Sequence, residues 1–372
     1  MSDVLSIPPT GGSRADLRRL VDALVGGQLV ALPSECGYLI AGSPLQPEAT
    51  AALTALAPDG RLAVLTSEPE LAEDFVQVEN WTGPADRLAS RCWPGPLVME
   101  FPATESGTLI NEWPEVLQRT LMSNRTLRLI CSAQPLLQEL GRELPWPLIV
   151  CASSRERPDE RFDSVEVARE RCGPSVALLV DSGPPRYPER STVVHITADG
   201  WQILEEGIVG RRTVAQLASQ IVLFTCTGNT CRSPMAEALF RKMLADRLNC
   251  AEDELTDRGY VVLSAGLATT AGMPASEHSV TVLGEEGIDL TGHHSQPAAT
   301  ELLSVADLIV TMTRSHRESI VSRFPELEPR VRLLSPVGRD VSDPFGGERN
   351  HYVRCRDEIR EYLVQLIEDV CP

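Results

Sequence analysis

The sequence predicts an α/β protein of two domains, a mixed α/β domain followed by a doubly wound parallel-sheet domain. Two observations support this prediction. The chain has 372 residues, about twice the length of a common domain. Short apolar, β-branched runs alternate with segments of helical periodicity in both halves of the chain, and such alternation is typical of sheets covered by helices.

Composition limits the classes of function. A formal net charge of −18 disfavours tight binding to nucleic acid or to anionic membranes. No uninterrupted apolar run approaches the ~18 residues of a membrane span, and the N-terminal residues lack a secretory signal pattern, so we expect a cytoplasmic protein. The ten cysteines are scattered along the chain, which predicts free thiols.

The first domain is predicted over residues 1–207. Its first helix has Leu17, Leu20 and Leu24 on one face and ends at Gly26-Gly27. The predicted elements are, in order, a helix at 14–25, a strand at 28–33, a loop at 34–38, a helix at 48–57, strands at 147–151 and 176–180, and closing segments at 190–195 and 201–207. Residues 208–218 are predicted to be a linker that contains a short helix.

The second domain is predicted over residues 219–372. Its regular alternation predicts a parallel sheet with helices on both faces. The predicted strands cover residues 221–225, 260–264, 307–311 and 330–334. The predicted helices cover residues 234–248, 276–286, 298–304, 314–324 and 352–368.

One strand–loop–helix junction carries the strongest chemical signal. The apolar run at 221–225 ends in Cys226, and Arg232 and Ser233 precede the next helix. Such a loop aims backbone N–H groups and the positive end of a helix dipole at one point, where an anion binds. A thiol at that point should lose its proton readily and act as a nucleophile, while Arg232 fits two phosphate oxygens.

The phrase Cys-Thr-Gly-Asn-Thr-Cys-Arg-Ser-Pro, with Asp343-Pro344 more than a hundred residues later, resembles the low-molecular-weight protein tyrosine phosphatase family. The resemblance covers nearly all of residues 219–372 and implies a cysteinyl-phosphate mechanism. It implies a nucleophile, a phosphate-binding cation and a proton donor, namely Cys226, Arg232 and Asp343. The implied phosphate- and substrate-binding residues are Thr227, Gly228, Asn229, Thr230, Cys231, Ser233 and Phe345, with Asn229 fixing the loop and Ser233 donating to the thiolate.

The loop sequence is also compatible with other interpretations. Cys226 and Cys231 could be half of a metal site, but no second pair with zinc-like spacing exists, so no metal and no cofactor are predicted for this domain. Cys231 could be a packed neighbour or could form a reversible, protective disulfide with Cys226. We expect His278, His293 and His294 to be structural or surface groups.

The residues around the loop favour phosphoarginine over phosphotyrosine. Tyrosine-directed members often have a bulky aliphatic residue before the second cysteine, and here Thr230 stands there. Asp343-Pro344 is followed by Phe345-Gly346-Gly347, as in the bacterial protein-arginine phosphatase branch that this segment resembles. A hydroxyl at Thr230 can hydrogen-bond near a thin, polar guanidinium. Phosphorylated proteins are therefore the expected substrates, and the oligomeric state is left open.

The first half resembles the YrdC-type threonylcarbamoyl-AMP synthase family. Pro33-Ser34-Glu35-Cys36-Gly37-Tyr38, Trp93-Pro94-Gly95-Pro96 and Ser191-Thr192-Val193-Val194 match its phrases in order. That family makes an adenylate from threonine, bicarbonate and ATP for tRNA modification, so the resemblance implies ATP and magnesium if the domain is active. The implied ligand-binding residues are Ser34, Tyr38, Arg61 and Ser191.

Departures from the family's pattern fall on its cationic positions. The family's Lys-x-Arg aligns with Asp59-Gly60-Arg61, and its Arg-x-Gly aligns with Glu205-Glu206-Gly207. Repulsion in place of attraction costs several kcal/mol at a partly desolvated triphosphate site, which predicts a degenerate domain. Two rival functions stay open. One is a synthase with an accessory phosphatase domain, and the other is a sensor gated by a ligand or by oxidation.

Overall fold

The computed structural model describes residues 3–58, 61–77, 81, 83–103, 109–122, 124–197 and 200–371. The chain forms two compact units, Met1–Ala218 and Ser219–Pro372. Among the described residues, no helix is both long and apolar enough to cross a membrane.

The first unit is built on a ten-stranded mixed sheet in the order β1-β10-β2-β3-β7-β4-β6-β5-β11-β12, with β8 and β9 as a separate hairpin. Its strands are Asp3–Ser6 (β1), Leu29–Ser34 (β2), Gly37–Gly42 (β3), Ala63–Thr66 (β4), Leu97–Pro102 (β5), Thr126–Cys131 (β6), Leu148–Cys151 (β7), Ser153–Ser154 (β8), Arg157–Arg161 (β9), Val176–Asp181 (β10), Thr192–Thr197 (β11) and Gly200–Glu205 (β12).

The helices of this unit cover both faces of the sheet. They are Arg14–Val25 (α1), Pro47–Leu56 (α2), Gly83–Cys92 (α3), Glu115–Leu121 (α4), Pro135–Glu143 (α5), Val165–Cys172 (α6) and Arg211–Ala218 (α7). Alternate residues of a strand point to opposite faces. Leu29 and Ala31 accordingly join one apolar cluster, which includes α2, α3, α4, α6 and α7. Val30 and Leu32 join the other, with α1 and α5.

Two local predictions for the first half differ from the structure. The predicted loop at 34–38 is a tight hairpin, in which Pro33 pairs with Tyr38 across β2 and β3. Gly37 allows this turn, because its φ of 149° lies in a region that side chains disfavour. The predicted linker at 208–218 packs within the first unit, since Val214 and Ala218 are fully or almost fully buried in its core.

The second unit has a four-stranded sheet in the order β14-β13-β15-β16, and every pair of neighbours is parallel. Its strands are Gln220–Cys226 (β13), Tyr260–Gly266 (β14), Leu308–Thr311 (β15) and Val331–Leu333 (β16). Its helices are Arg232–Leu248 (α8), Glu277–Gly284 (α9), Thr300–Val305 (α10), Arg314–Arg323 (α11) and Arg349–Val370 (α12). The predicted α/β fold with a parallel sheet is confirmed.

The central strand β13 divides the core of the second unit. Val222 and Phe224 contact the cluster that contains α8, α9 and α12. Ile221 and Leu223 contact the cluster that contains α10 and α11. The chain order of strands reverses around β13, with β14 on one side and β15 on the other, and such a switch point at the carboxyl end of the strands is where α/β sheets place ligands.

Candidate active site

The site begins where β13 ends, at Cys226. Residues 227–231 form a tight loop and α8 starts at Arg232, so the thiol and the first turn of a 17-residue helix lie on either side of it. Asn229, in the middle of the loop, has a left-handed backbone with φ of 53°. In this conformation the backbone N–H of Asn229 points at the Cys226 sulfur, and the nitrogen and sulfur are 3.2 Å apart.

The Cys226 sulfur is almost completely enclosed, with 3% of the residue exposed. Besides the Asn229 N–H it contacts the Ser233 hydroxyl oxygen at 3.0 Å. Both contacts can donate a hydrogen to a thiolate, which is the form of cysteine that attacks electrophiles.

A buried amide fixes the loop. The Asn229 side chain is fully buried and donates to the hydroxyls of Ser233 at 3.0 Å and Ser264 at 2.8 Å. Its side-chain oxygen, Oδ1, accepts the backbone N–H of Gln296 at 2.9 Å. The network continues from Ser264 to the Glu237 carboxylate at 2.6 Å, and burial raises the pKa of Glu237.

Arg232 and Asp343 meet at the same end of the sheet. The Arg232 Nη2 donates to Asp343 Oδ2 at 2.6 Å, and Nη1 donates to the Val341 carbonyl at 3.4 Å. Arg232 is 5% exposed, whereas the Asp343 side chain is 52% exposed. A buried guanidinium thus lies beside a carboxylate that is open to solvent.

Two other sequence-predicted residues lie at the rim of this site. Phe345 is 76% exposed, and its N–H donates to Asp343 Oδ1 at 3.2 Å. At Gly228 an added Cβ would meet only the Thr230 hydroxyl, at 3.6 Å. Among the described residues, no protein atom therefore requires glycine at position 228, and a ligand could approach the loop backbone closely there.

Thr230 and Cys231 complete the loop. The Thr230 carbonyl accepts the Ser276 N–H at 2.8 Å, and its hydroxyl lies 3.7 Å from the Cys231 sulfur. Cys231 is buried, with the Tyr352 hydroxyl 3.6 Å from its sulfur. Burial raises the pKa of Tyr352, so that hydroxyl stays protonated at neutral pH.

Two histidines contact the loop. His293, expected to be a structural or surface group, places Nε2 2.8 Å from the backbone carbonyl oxygen of Asn229. His316, which was not predicted, places Nε2 2.9 Å from the Thr227 hydroxyl. Burial, and to a lesser extent the charge of Arg232, lowers the pKa of His316 to about 4. Its signal in the sequence was weak, because it lies in α11, 89 residues from Thr227.

The first unit contains a separate cavity that encloses about 940 Å³ of empty space, part of it open to solvent. The four predicted ligand-binding residues, Ser34, Tyr38, Arg61 and Ser191, all line it. Tyr38 is buried, and its hydroxyl donates to the Gly183 carbonyl at 2.9 Å. Asp59, at one of the altered cationic positions, lies outside the described residues. Within the part of the chain that the structure describes, no group of three or more potential ligands is arranged to hold a metal ion.

A thiol, a guanidinium and a carboxylate around an anion-binding loop define a class, the cysteine-dependent phosphatases. Comparison with known proteins identifies the family. A family model described as low molecular weight phosphotyrosine protein phosphatase matches residues 221–371. The Sua5/YciO/YrdC model, described as telomere recombination, matches residues 22–207. The chain belongs to both families, each through one of its two units.

Named relatives match the second unit. A protein-arginine-phosphatase of Bacillus subtilis is 40% identical over 153 residues, which span 40% of this chain and 95% of the relative. A protein-arginine-phosphatase of Geobacillus stearothermophilus is 36% identical over 151 residues, which span 40% of this chain and 93% of that protein. A probable low molecular weight protein-tyrosine-phosphatase, EpsP of Ralstonia nicotianae, is 36% identical over 125 residues, which span 33% of this chain and 77% of that protein.

Proposed function

We propose that the second unit is a protein phosphatase that removes the phosphoryl group from phosphoarginine, with Cys226 as its nucleophile. One observation carries the proposal. The Asn229 backbone N–H donates to the Cys226 sulfur at 3.2 Å, and the Ser233 hydroxyl oxygen lies 3.0 Å from the same sulfur. Both contacts lie at the start of the helix that holds Arg232. These contacts suit a thiolate aimed at a bound phosphoryl group.

In the first step the Cys226 thiolate attacks phosphorus in line with the leaving group. A sulfur–phosphorus bond forms while the phosphorus–nitrogen bond of phosphoarginine breaks. Arg232 and the backbone N–H groups of the loop hold the three equatorial oxygens of the phosphoryl group as charge redistributes. Asp343 gives its proton to the departing guanidine nitrogen, so that this nitrogen does not have to leave without a proton.

In the second step a water molecule attacks the cysteinyl phosphate. Asp343, now a carboxylate, accepts the proton of that water, the sulfur–phosphorus bond breaks, and inorganic phosphate and the Cys226 thiolate are released. The 2.6 Å contact between Arg232 and Asp343 supports this division of roles, because it holds the carboxylate beside the phosphate-binding guanidinium. Every charge that these two steps require is supplied by side chains and by the loop backbone.

Two features favour phosphoarginine over phosphotyrosine. Thr230 presents a small polar side chain next to Cys231, where a guanidinium can hydrogen-bond. After Phe345 the rim continues through two glycines, so no second large side chain is available there to enclose a phenol. The names of the Bacillus and Geobacillus relatives support the same choice.

The substrate assignment can be tested with one substitution. Purified full-length protein would be offered peptides with phosphoarginine or phosphotyrosine, and kcat/KM measured for each. We expect Thr230→Ile to shift the ratio toward tyrosine by about tenfold or more, because a pocket contact of this size contributes about 1–3 kcal/mol to discrimination.

The control for this experiment is Thr281→Ile, the same change at an exposed position of α9, which should leave the ratio unaltered. Faster turnover of phosphotyrosine by the unaltered protein would contradict the arginine assignment. An unchanged ratio in Thr230→Ile would contradict the role of Thr230.

We also propose that the protein acts on phosphorylated proteins in the cytoplasm. All ten cysteines are unpaired, and a mechanism that needs a free thiol at Cys226 requires a reducing compartment. The net charge of −18 makes tight binding to nucleic acid unfavourable.

A further inference from the structure

Three arginines of the first unit converge on one carboxylate, that of Glu205 at the end of β12. Its Oε2 accepts from Arg61 Nη1 at 3.4 Å and from Arg190 Nη1 at 3.2 Å. Its Oε1 accepts from Arg128 Nη1 and Nη2 at 3.4 and 3.5 Å. The Glu205 side chain is only 20% exposed, so these charges meet in a partly desolvated place.

Two further carboxylates complete the charge balance. Asp159 Oδ1 accepts from Arg61 Nη2 at 3.2 Å, and Glu100 Oε2 accepts from Arg128 Nε at 2.8 Å. Among the residues that the structure describes, the three guanidiniums are therefore matched by three carboxylates.

The arginine cluster lies in the wall of the cavity of the first unit, since all three arginines and Glu205 line it. Converging guanidiniums form a site suited to an oligophosphate. Here the Glu205 carboxylate occupies the point of convergence. An incoming oligophosphate would have to break these ion pairs and would be repelled by the carboxylate it displaced.

We propose that the Glu205 carboxylate already neutralises the arginine cluster and thereby excludes oligophosphates from the cavity. The residues present thus do not fit the ATP that the YrdC-type resemblance implies. The proposal does not depend on the phosphatase function, because it concerns the other unit.

The experiment measures binding of inorganic tripolyphosphate to the full-length protein without magnesium, through tryptophan fluorescence. All five tryptophans lie between residues 81 and 201, whereas the phosphate-binding loop of the second unit lies at 226–232. The variant is Glu205→Gln, which keeps the shape of the side chain but frees the guanidiniums. The matched control is Glu206→Gln, the same change at the adjacent, exposed position.

We expect no saturable signal from the unaltered protein or from Glu206→Gln, and an affinity for tripolyphosphate at least about tenfold higher in Glu205→Gln. The phosphatase kcat/KM should be the same in all three proteins, which separates this test from that of the proposed function. Equal binding by the unaltered protein and Glu205→Gln would overturn the proposal.

Asp159→Asn keeps the test decisive if Glu205→Gln does not fold. The Asp159 side chain is 82% exposed, so its replacement should not disturb folding, yet it removes one of the balancing charges from Arg61. We expect its affinity to lie between those of the unaltered protein and Glu205→Gln. Because Glu205 stays in place in this variant, a folded Asp159→Asn protein that binds tripolyphosphate at least about tenfold more tightly than the unaltered protein would contradict the proposal, since Glu205 would then not be the excluding anion.

Discussion

Replacing Asn229 with alanine should disable the phosphatase site while leaving the protein folded. The change removes three hydrogen bonds of the buried amide, two to the hydroxyls of Ser233 and Ser264 and one from the Gln296 N–H. At about 1 kcal/mol each they amount to about 3 kcal/mol. Alanine at a φ of 53° adds about 1 kcal/mol of backbone strain.

These energies hold the loop in the shape that aims the Asn229 N–H at the Cys226 sulfur. At ~1.4 kcal/mol per factor of ten, losing the three hydrogen bonds, about 3 kcal/mol, lowers the equilibrium constant for that shape about a hundredfold, and the backbone strain lowers it further. We therefore expect kcat/KM to fall about a hundredfold or more in Asn229→Ala, measured with a phosphoarginine peptide.

The chain offers a matched control in Asn249, which ends α8 with a φ of 50° and is exposed. Asn249→Ala imposes the same backbone strain away from the loop. It should lower the free energy of unfolding by about 1 kcal/mol and leave kcat/KM unchanged. If both variants lose activity equally, or if Asn229→Ala keeps full activity, the argument that this amide shapes the site is refuted.

Two other predictions concern pH and packing. Burial lowers the pKa of His316 from 6.5 to about 4. On acidification His316 therefore takes up its proton at a higher pH in the unfolded chain than in the folded one, and the free energy of unfolding falls as pH falls from about 6.5 to 4. His316→Gln, which can still hydrogen-bond Thr227, should lose less stability over that window in urea unfolding. A Cβ on Gly207 would lie 2.1 Å from the Arg190 carbonyl oxygen, so Gly207→Ala should destabilise the first unit by about 2–3 kcal/mol, measured by tryptophan fluorescence. Gly210→Ala, where the nearest atom is 3.9 Å away, should not; equal effects would contradict the steric reason.

The second unit was largely predictable from sequence because its signals are local. The run at 221–225, the cysteine and the helix start follow one another in the chain, and the structure places β13 at Gln220–Cys226 and α8 at Arg232–Leu248. Regular alternation then predicted a parallel sheet. The observed ends of the strands and helices differ from the predicted ends by only a few residues, as expected where helix ends fray.

The remainder of the site depends on contacts between distant residues. His316 reaches Thr227 across 89 positions and Tyr352 reaches Cys231 across 121. No periodicity or motif joins such pairs, so the sequence predicts the loop residues but not the contacts of His316 and Tyr352.

The ten-stranded sheet of the first unit was not predictable in detail. Its first strand pairs with β10, so that Leu5 lies opposite Val180, and nothing in either segment specifies that pairing. The charge change at Glu205 was visible in the sequence, but the three arginines that surround it come from residues 61, 128 and 190. Sequence indicated a lost cation, whereas the structure shows a carboxylate inside an arginine cluster.

The central claim is that the phosphoryl group passes through the sulfur of Cys226. Rapid acid quenching during turnover of a phosphoarginine peptide, followed by mass spectrometry, tests it most directly. The account predicts a phosphoryl group on Cys226 during turnover, and a kcat lower by about 10⁴-fold or more in Cys226→Ala, with Cys250→Ser as a cysteine control that retains activity. Hydrolysis that continues in Cys226→Ala, or turnover that never labels Cys226, would contradict it.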